Sequence, residues 1–131
     1  MAQVAITYPA VTLTEMSGAF LKRVLEDVAD NLFHPDPYYQ QGGDMVRSSG
    51  LQYSIAPRAA AGSRIDQLTL NGKPIVANKT YKVAGWASVQ QVEGEPIWDV
   101  VARWLKAQGH VQRVRANQPE VMGLQNNQGM V

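Results

Sequence analysis

Residues 10–33, AVTLTEMSGAFLKRVLEDVADNLF, decide the fold class. Val11 and Leu13 alternate with Thr12 and Thr14, and β-branched residues at two-residue spacing suit a half-buried strand from Ala10 to Met16. Ser17 stands where a hydroxyl can accept from the free amides of a first helical turn, and Leu21, Val24, Leu25, Val28 and Leu32 then recur at helical spacing. Pro35 and Pro37 stop that helix, because proline lacks an amide donor and disfavours helical geometry at the residue before it.

Working outward, Leu51, Tyr53 and Ile55 alternate with Gln52 and Ser54, and an extended run from Ile65 to Leu70 ends at Asn71-Gly72. Asn-Gly between two extended runs is a strong hairpin signal, so a meander is expected here. Tyr81 to Trp86 forms another strand and leads into the loop SVQQVEGE. Pro96 is placed as the first residue of a second helix, with Ile97, Val100, Val101, Trp104 and Leu105 as its stripe and Gly109 as its stop. Residues 112–131 are polar and read as an irregular tail, with one short strand expected at Val111–Val114. The order predicts an α+β (mixed α/β) fold: one domain over residues 1–131, a mixed sheet and two main amphipathic helices.

Composition narrows the function classes. Twelve Lys and Arg against eleven Asp and Glu leave a net charge of +1, which offers no electrostatic footprint for a nucleic acid. No apolar run reaches the ~20 residues of a membrane span. The chain has no cysteine and only two histidines, His34 and His110, with no HExxH pair, so no self-contained metal centre is predicted and no catalytic residue is assigned. Nucleophile-elbow, dinucleotide and P-loop signatures are absent.

The segment from Asn31 to Arg47, NLFHPDPYYQQGGDMVR, fits no regular element and concentrates polar and aromatic groups. Loops held by a rigid scaffold often carry binding residues, so Tyr38, Gln40, Gln41, Asp44 and Arg47 are candidate substrate-binding residues, with Trp86 at the end of its strand. The competing reading is structural: two prolines stiffening a crossover, two tyrosines covering a helix end, and Gly42-Gly43 permitting a turn. Arg47, Arg58 and Arg64 each suit an anion, and His34 sits where a cation favours a helix C-terminus.

TEMSGAFLKRVLEDVADNLF resembles the TGxxLKxxLE segment of the C-terminal domain of the bacterial 5'-nucleotidase family. GSRIDQLTLNGKPI, TYKVAGWASV and EPIWDVVARWL resemble its later strands, hairpin and last helix, while HPDPYYQQGGDMVR resembles the thiosulfohydrolase branch that serves Sox sulfur oxidation. The resemblance implies an N-terminally truncated domain whose GGGxR-like opening lies upstream of Met1. It also implies a missing N-terminal metallophosphoesterase domain holding two divalent metal ions, with manganese the expected metal, so this fragment is expected to hold no cofactor and to be inactive alone. The family's nucleotidases clamp a base between two aromatics, whereas Thr7 and Ser88 occupy those positions here, which points away from a nucleoside. In the thiosulfohydrolase branch the partner is a sulfur-carrier protein arm bearing a cysteine-bound sulfonated adduct, and hydrolysis releases sulfate in the periplasm. A nucleotidase or related phosphoesterase domain, and a non-catalytic module that recognises a protein arm, stand as alternatives.

Overall fold

The alternating segment and the helix after it form strand β1 (Ala10–Ser17) running directly into helix α1 (Gly18–Leu32). The computed structural model describes residues 10–41, 43–86, 94–112 and 117–124, with Trp86 described in its backbone only. Ser17 caps α1 as expected, its Oγ accepting from Phe20 N at 3.2 Å. Gly18 N and Ala19 N donate to the carbonyls of Lys79 and Ala77, each at 3.0 Å, so three donors of the first turn are satisfied. A Cβ on Gly18 would press on the Val76 carbonyl oxygen and lie 2.6 Å from Ile75 Cγ2. Only glycine permits this approach of helix and loop.

Beyond α1 come a 3-10 turn (Pro37–Tyr39), β2 (Leu51–Ile55), β3 (Ile65–Leu70), β4 (Lys73–Pro74), β5 (Thr80–Trp86), β6 (Glu95–Pro96), α2 (Ile97–Gln108) and β7 (Glu120–Val121). The expected α+β composition with two main helices is present, and the strands divide into two sheets. The chain forms two compact units, Met1–Met16 with Thr80–Val114, and Ser17–Lys79 with Arg115–Val131.

In the second unit the sheet runs β4-β3-β2-β7. β2 and β3 pair antiparallel from Leu51↔Leu70 to Ile55↔Ile65, with a bulge between Gln52 and Ser54. Asn71 and Gly72 connect β3 to β4 with φ of 50° and 76°, the two left-handed residues that a tight hairpin turn needs. β7 adds in parallel to β2 through Ser54↔Glu120 and Ile55↔Val121, so residues 112–131 are not wholly irregular as expected. Val111 and Gln112 are not in a strand; the rest of the strand expected at Val111–Val114 lies outside the described residues.

Leu25, Ala29, Tyr53, Ile55 and Ile65 form the core of this unit, flanked by Phe33, Met45, Leu51, Leu68 and Val121. The stripe expected on α1 is shifted in the structure. Leu25, Glu26 and Ala29 are buried, while Leu21, Val24, Val28 and Leu32 are half-buried, because the innermost line of α1 faces a polar turn as well as the sheet. Tyr53 Oη is buried without a hydrogen-bond partner among the described residues, and burial pushes its phenol above the ordinary range.

In the first unit the sheet runs β5-β1-β6, with Ala10↔Pro96 and Val11↔Glu95 antiparallel. A Cβ on Gly94 would lie 2.6 Å from the Val11 carbonyl oxygen, so this strand entry also requires glycine. Pro96 is the N-cap of α2 and not its first residue, and Gly109 ends the helix at φ 63° as expected. Trp98 is half-buried, whereas Trp104 and Leu105, expected to pack, are exposed. Asp99 in the first turn and Lys106 in the last complement the helix dipole.

Candidate functional site

The candidate loop leaves α1 at Phe33, the C-cap, whose amide donates to the Ala29 carbonyl at 2.9 Å. Two residues later Asp36 caps the 3-10 turn: its carboxylate accepts from Tyr38 N at 2.9 Å, and Pro37 supplies a fixed φ at the first position. Asp36 N donates to His34 Nδ1 at 3.1 Å, so His34 serves this turn and makes no bond to a helix carbonyl among the described contacts. Gln40 Nε2 donates to the His34 carbonyl at 2.7 Å, and Gln41 N donates to the Asn31 carbonyl at 3.1 Å. These bonds hold the turn on the end of α1, and residues 35–41 are exposed on it.

Three rings gather there. His34 and Tyr39 lie 5.1 Å apart between centroids, and Tyr38 stands edge-on to Tyr39 at 6.3 Å. Tyr38 is 92% exposed, so it presents an apolar ring and a phenol to solvent without covering the helix end. Further along, Gly43 has φ 143°, and Arg47 donates to Asp44 Oδ2 at 3.0 Å. The side chains of Arg47 and Asp44 are 82% and 76% exposed, so this pair can open to bind an incoming group at little cost. Met45 packs toward the core between them, and Ser48 closes the loop, its Oγ donating to the Leu51 carbonyl at 3.3 Å beside its bridge to Asn117.

Of the predicted residues, Tyr38, Gln40, Gln41, Asp44 and Arg47 thus share one exposed loop, in which Asp44 meets Arg47 and Gln40 braces the turn beneath Tyr38. Trp86 ends β5 in the other unit, with its side chain outside the described residues, as are Thr7 and Ser88. Arg58 is exposed.

Arg64 departs from expectation. Instead of standing ready for an anion it is 4% exposed and fully engaged: Nε donates to the Pro57 carbonyl at 3.1 Å, one terminal nitrogen to Asp30, the other to the Phe33 carbonyl at 3.0 Å. Buried Glu26 accepts from Arg64 N and Ile65 N at 2.8 and 3.0 Å, and Asp30 also accepts from Gly62 N. Sequence reading missed this group, although acids four residues apart beside Leu25 and Ala29 were the available signal. Among the described residues no group of three or more His, Cys, Asp or Glu side chains comes together as a metal site, and no helix is long and apolar enough to cross a membrane.

Residues 3–103 match the 5'-nucleotidase, C-terminal domain, and the chain belongs to that family. Among solved structures, the Thermus thermophilus sulfate thiohydrolase SoxB in complex with glycerol is similar over 89% of this chain, with a TM-score of 0.72 and 38% identity. A putative 5'-nucleotidase from Staphylococcus aureus in complex with alpha-ketoglutarate is similar over 86% of the chain with a TM-score of 0.56, and at 17% identity it shows the fold alone. The chain spans 23% and 27% of the lengths of those two proteins. No curated protein matches.

Proposed function

We propose that this chain is the substrate-facing C-terminal domain of a SoxB-type thiosulfohydrolase, an enzyme that releases sulfate from a cysteine-bound adduct on a carrier-protein arm during thiosulfate oxidation. The observation that carries this reading is the 38% identity to sulfate thiohydrolase SoxB over 89% of the chain. The family match runs through both compact units, which supports treating residues 1–131 as one C-terminal-type domain. In this reading an N-terminal metallophosphoesterase domain of the same enzyme holds two divalent metal ions, manganese in our proposal, and the whole acts in the periplasm. The described residues of this chain contain no ligand set for those ions, and no chemical step is assigned to them.

The chain's part is recognition. Tyr38, Gln40, Gln41, Asp44 and Arg47 offer rings, amides and one exchangeable ion pair, a mixture suited to an extended peptide carrying an anionic group. The test is Arg47→Ala in the full-length enzyme. Catalytic efficiency on the carrier adduct should fall by about 1.5–3 kcal/mol of transition-state stabilisation, the worth of a charge-assisted bond, with the thermal midpoint unmoved. Unchanged efficiency with a lowered midpoint would make the loop structural, and efficient hydrolysis of nucleotides by that enzyme would replace the carrier reading with the nucleotidase one.

A further inference from the structure

Arg64 stands immediately before β3, beyond the candidate loop and β2 in the chain, yet its guanidinium reaches the loop's first anchor. The Phe33 carbonyl belongs to the C-cap of α1, where helix carbonyls lack intrahelical partners, and Arg64 supplies one at 3.0 Å. The same planar fork also holds Asp30 on α1 and the Pro57 carbonyl on the β2–β3 connection. Immediately after Phe33 the chain turns outward. Gln41 N returns to Asn31 and Gln40 Nε2 to His34, so the segment carrying Tyr38 is registered on residues that flank the carbonyl Arg64 holds.

We infer that Arg64 is a positioning residue for the candidate loop: by fixing the Phe33 carbonyl it sets the direction in which the chain leaves α1, and thereby where Tyr38 and Gln40 are presented. The inference that this placement matters for a carrier arm rests on the function proposed above. An ion pair with Asp30 alone would serve stability; the bond to Phe33 is the one that points at the loop. Lysine can keep the charge, but a single ammonium cannot hold the three acceptors, two at the end of α1 and one on the β2–β3 connection, in the geometry of a guanidinium fork.

The test uses Arg64→Lys in the 131-residue chain and in the full-length enzyme. In the chain, the Gln41 amide should exchange at least about tenfold faster, while the Asn71 and Ile75 amides of the β3–β4 hairpin change by less than about twofold, the signature of local and not global opening. In the enzyme, efficiency on the carrier adduct should fall, with KM raised more than kcat is lowered. Equal acceleration of all three amides would overturn the inference and leave Arg64 a stability residue. A loosened loop with unchanged efficiency would uphold the positioning role and sink the carrier-arm reading. Should Arg64→Lys fail to fold, Asp30→Asn keeps an acceptor for Gly62 N while weakening the grip on Arg64, and the same comparison of Gln41 with Asn71 and Ile75 decides.

Discussion

Among the described residues of one unit arginine meets aspartate twice, Arg64 with Asp30 and Arg47 with Asp44, and the surroundings of the two pairs differ in nearly every respect. The Arg64 and Asp30 side chains are 4% and 27% exposed and the other two guanidinium nitrogens each donate to a carbonyl, whereas Arg47 and Asp44, three residues apart on a loop, are 82% and 76% exposed. Desolvating an ion pair is costly, and that cost is offset only where every remaining polar group also finds a partner. The inner pair meets that condition and is committed to architecture. The outer pair stays hydrated, contributes little to stability, and remains free to exchange its partner for a ligand. Identical chemistry is thus divided by burial into a fastening and a contact surface.

The most severe way to break this contrast is Arg64→Ala. It should cost about 3–5 kcal/mol of stability in urea unfolding, because Asp30 keeps only the Gly62 amide and loses its counter-charge while the Phe33 and Pro57 carbonyls lose the guanidinium. A cost near that of a surface substitution would show that burial does not separate the two pairs. Next in size, Gly18→Ala should destabilise by about 1–3 kcal/mol through overpacking against Val76 and Ile75, which displaces the helix that carries Asp30. A thermal midpoint equal to that of the parent chain would contradict the close approach. Arg47→Ala should shift unfolding stability by no more than about 0.5 kcal/mol, and a larger loss would place the outer pair with the inner one.

Tyr53→Phe sharpens the contrast from another side, since it removes a buried polar atom that lacks the partners Arg64 enjoys. Stability at neutral pH should stay within about 1 kcal/mol of the parent and not below it, measured by the same unfolding curve. The sign of the pH dependence follows from the raised phenol: the folded state holds the proton more tightly, so stability is complete below the ordinary tyrosine range and declines as pH rises through the folded pKa. Tyr53→Phe should flatten that alkaline decline. The smallest effect belongs to the exposed Glu95–Arg103 pair, where the hydrogen bond from Arg103 holds the Glu95 carboxyl below its ordinary value. Its contribution is present above the ordinary glutamate range and lost as pH falls through the folded pKa, so Arg103→Ala should reduce acid sensitivity slightly; an acid transition identical to the parent's would remove the pair from the account.

What the sequence made legible was mostly local. Ser17 capping α1, the Asn71-Gly72 turn and Gly109 closing α2 all depend on residues within a few positions of one another. The spacing of Glu26 and Asp30 beside Leu25 and Ala29 hinted at an inward acid, but its partnership with Arg64 was not legible, because Glu26 and Arg64 are separated by 38 residues. β7 was missed for a related reason: two residues carry no alternation, and their strand exists only because β2 offers an edge. The candidate loop could be delimited by its prolines and glycines, which act on their own backbone. That His34, Tyr38 and Tyr39 would gather as rings depends on the Asp36 cap, which composition alone does not specify.

The sheet β5-β1-β6 also has a history written into its order. β1 precedes β5 and β6 in the chain, yet Thr12 meets the carbonyl of Gly85, 73 residues downstream. By contrast, α1, β2 and β3, which build the core around Leu25 and Ile65, emerge as one uninterrupted stretch. Closing a longer loop costs more entropy before any contact repays it, so we expect the Leu25–Ile65 core to acquire protection during refolding before β1 does. Pulse-labelled exchange would read this directly, and simultaneous protection of β1 and β3 would mean that the two units condense in one step. On the ribosome the consequence is sharper still: β1 waits while β2, β3 and β4 are made before either of its neighbours exists.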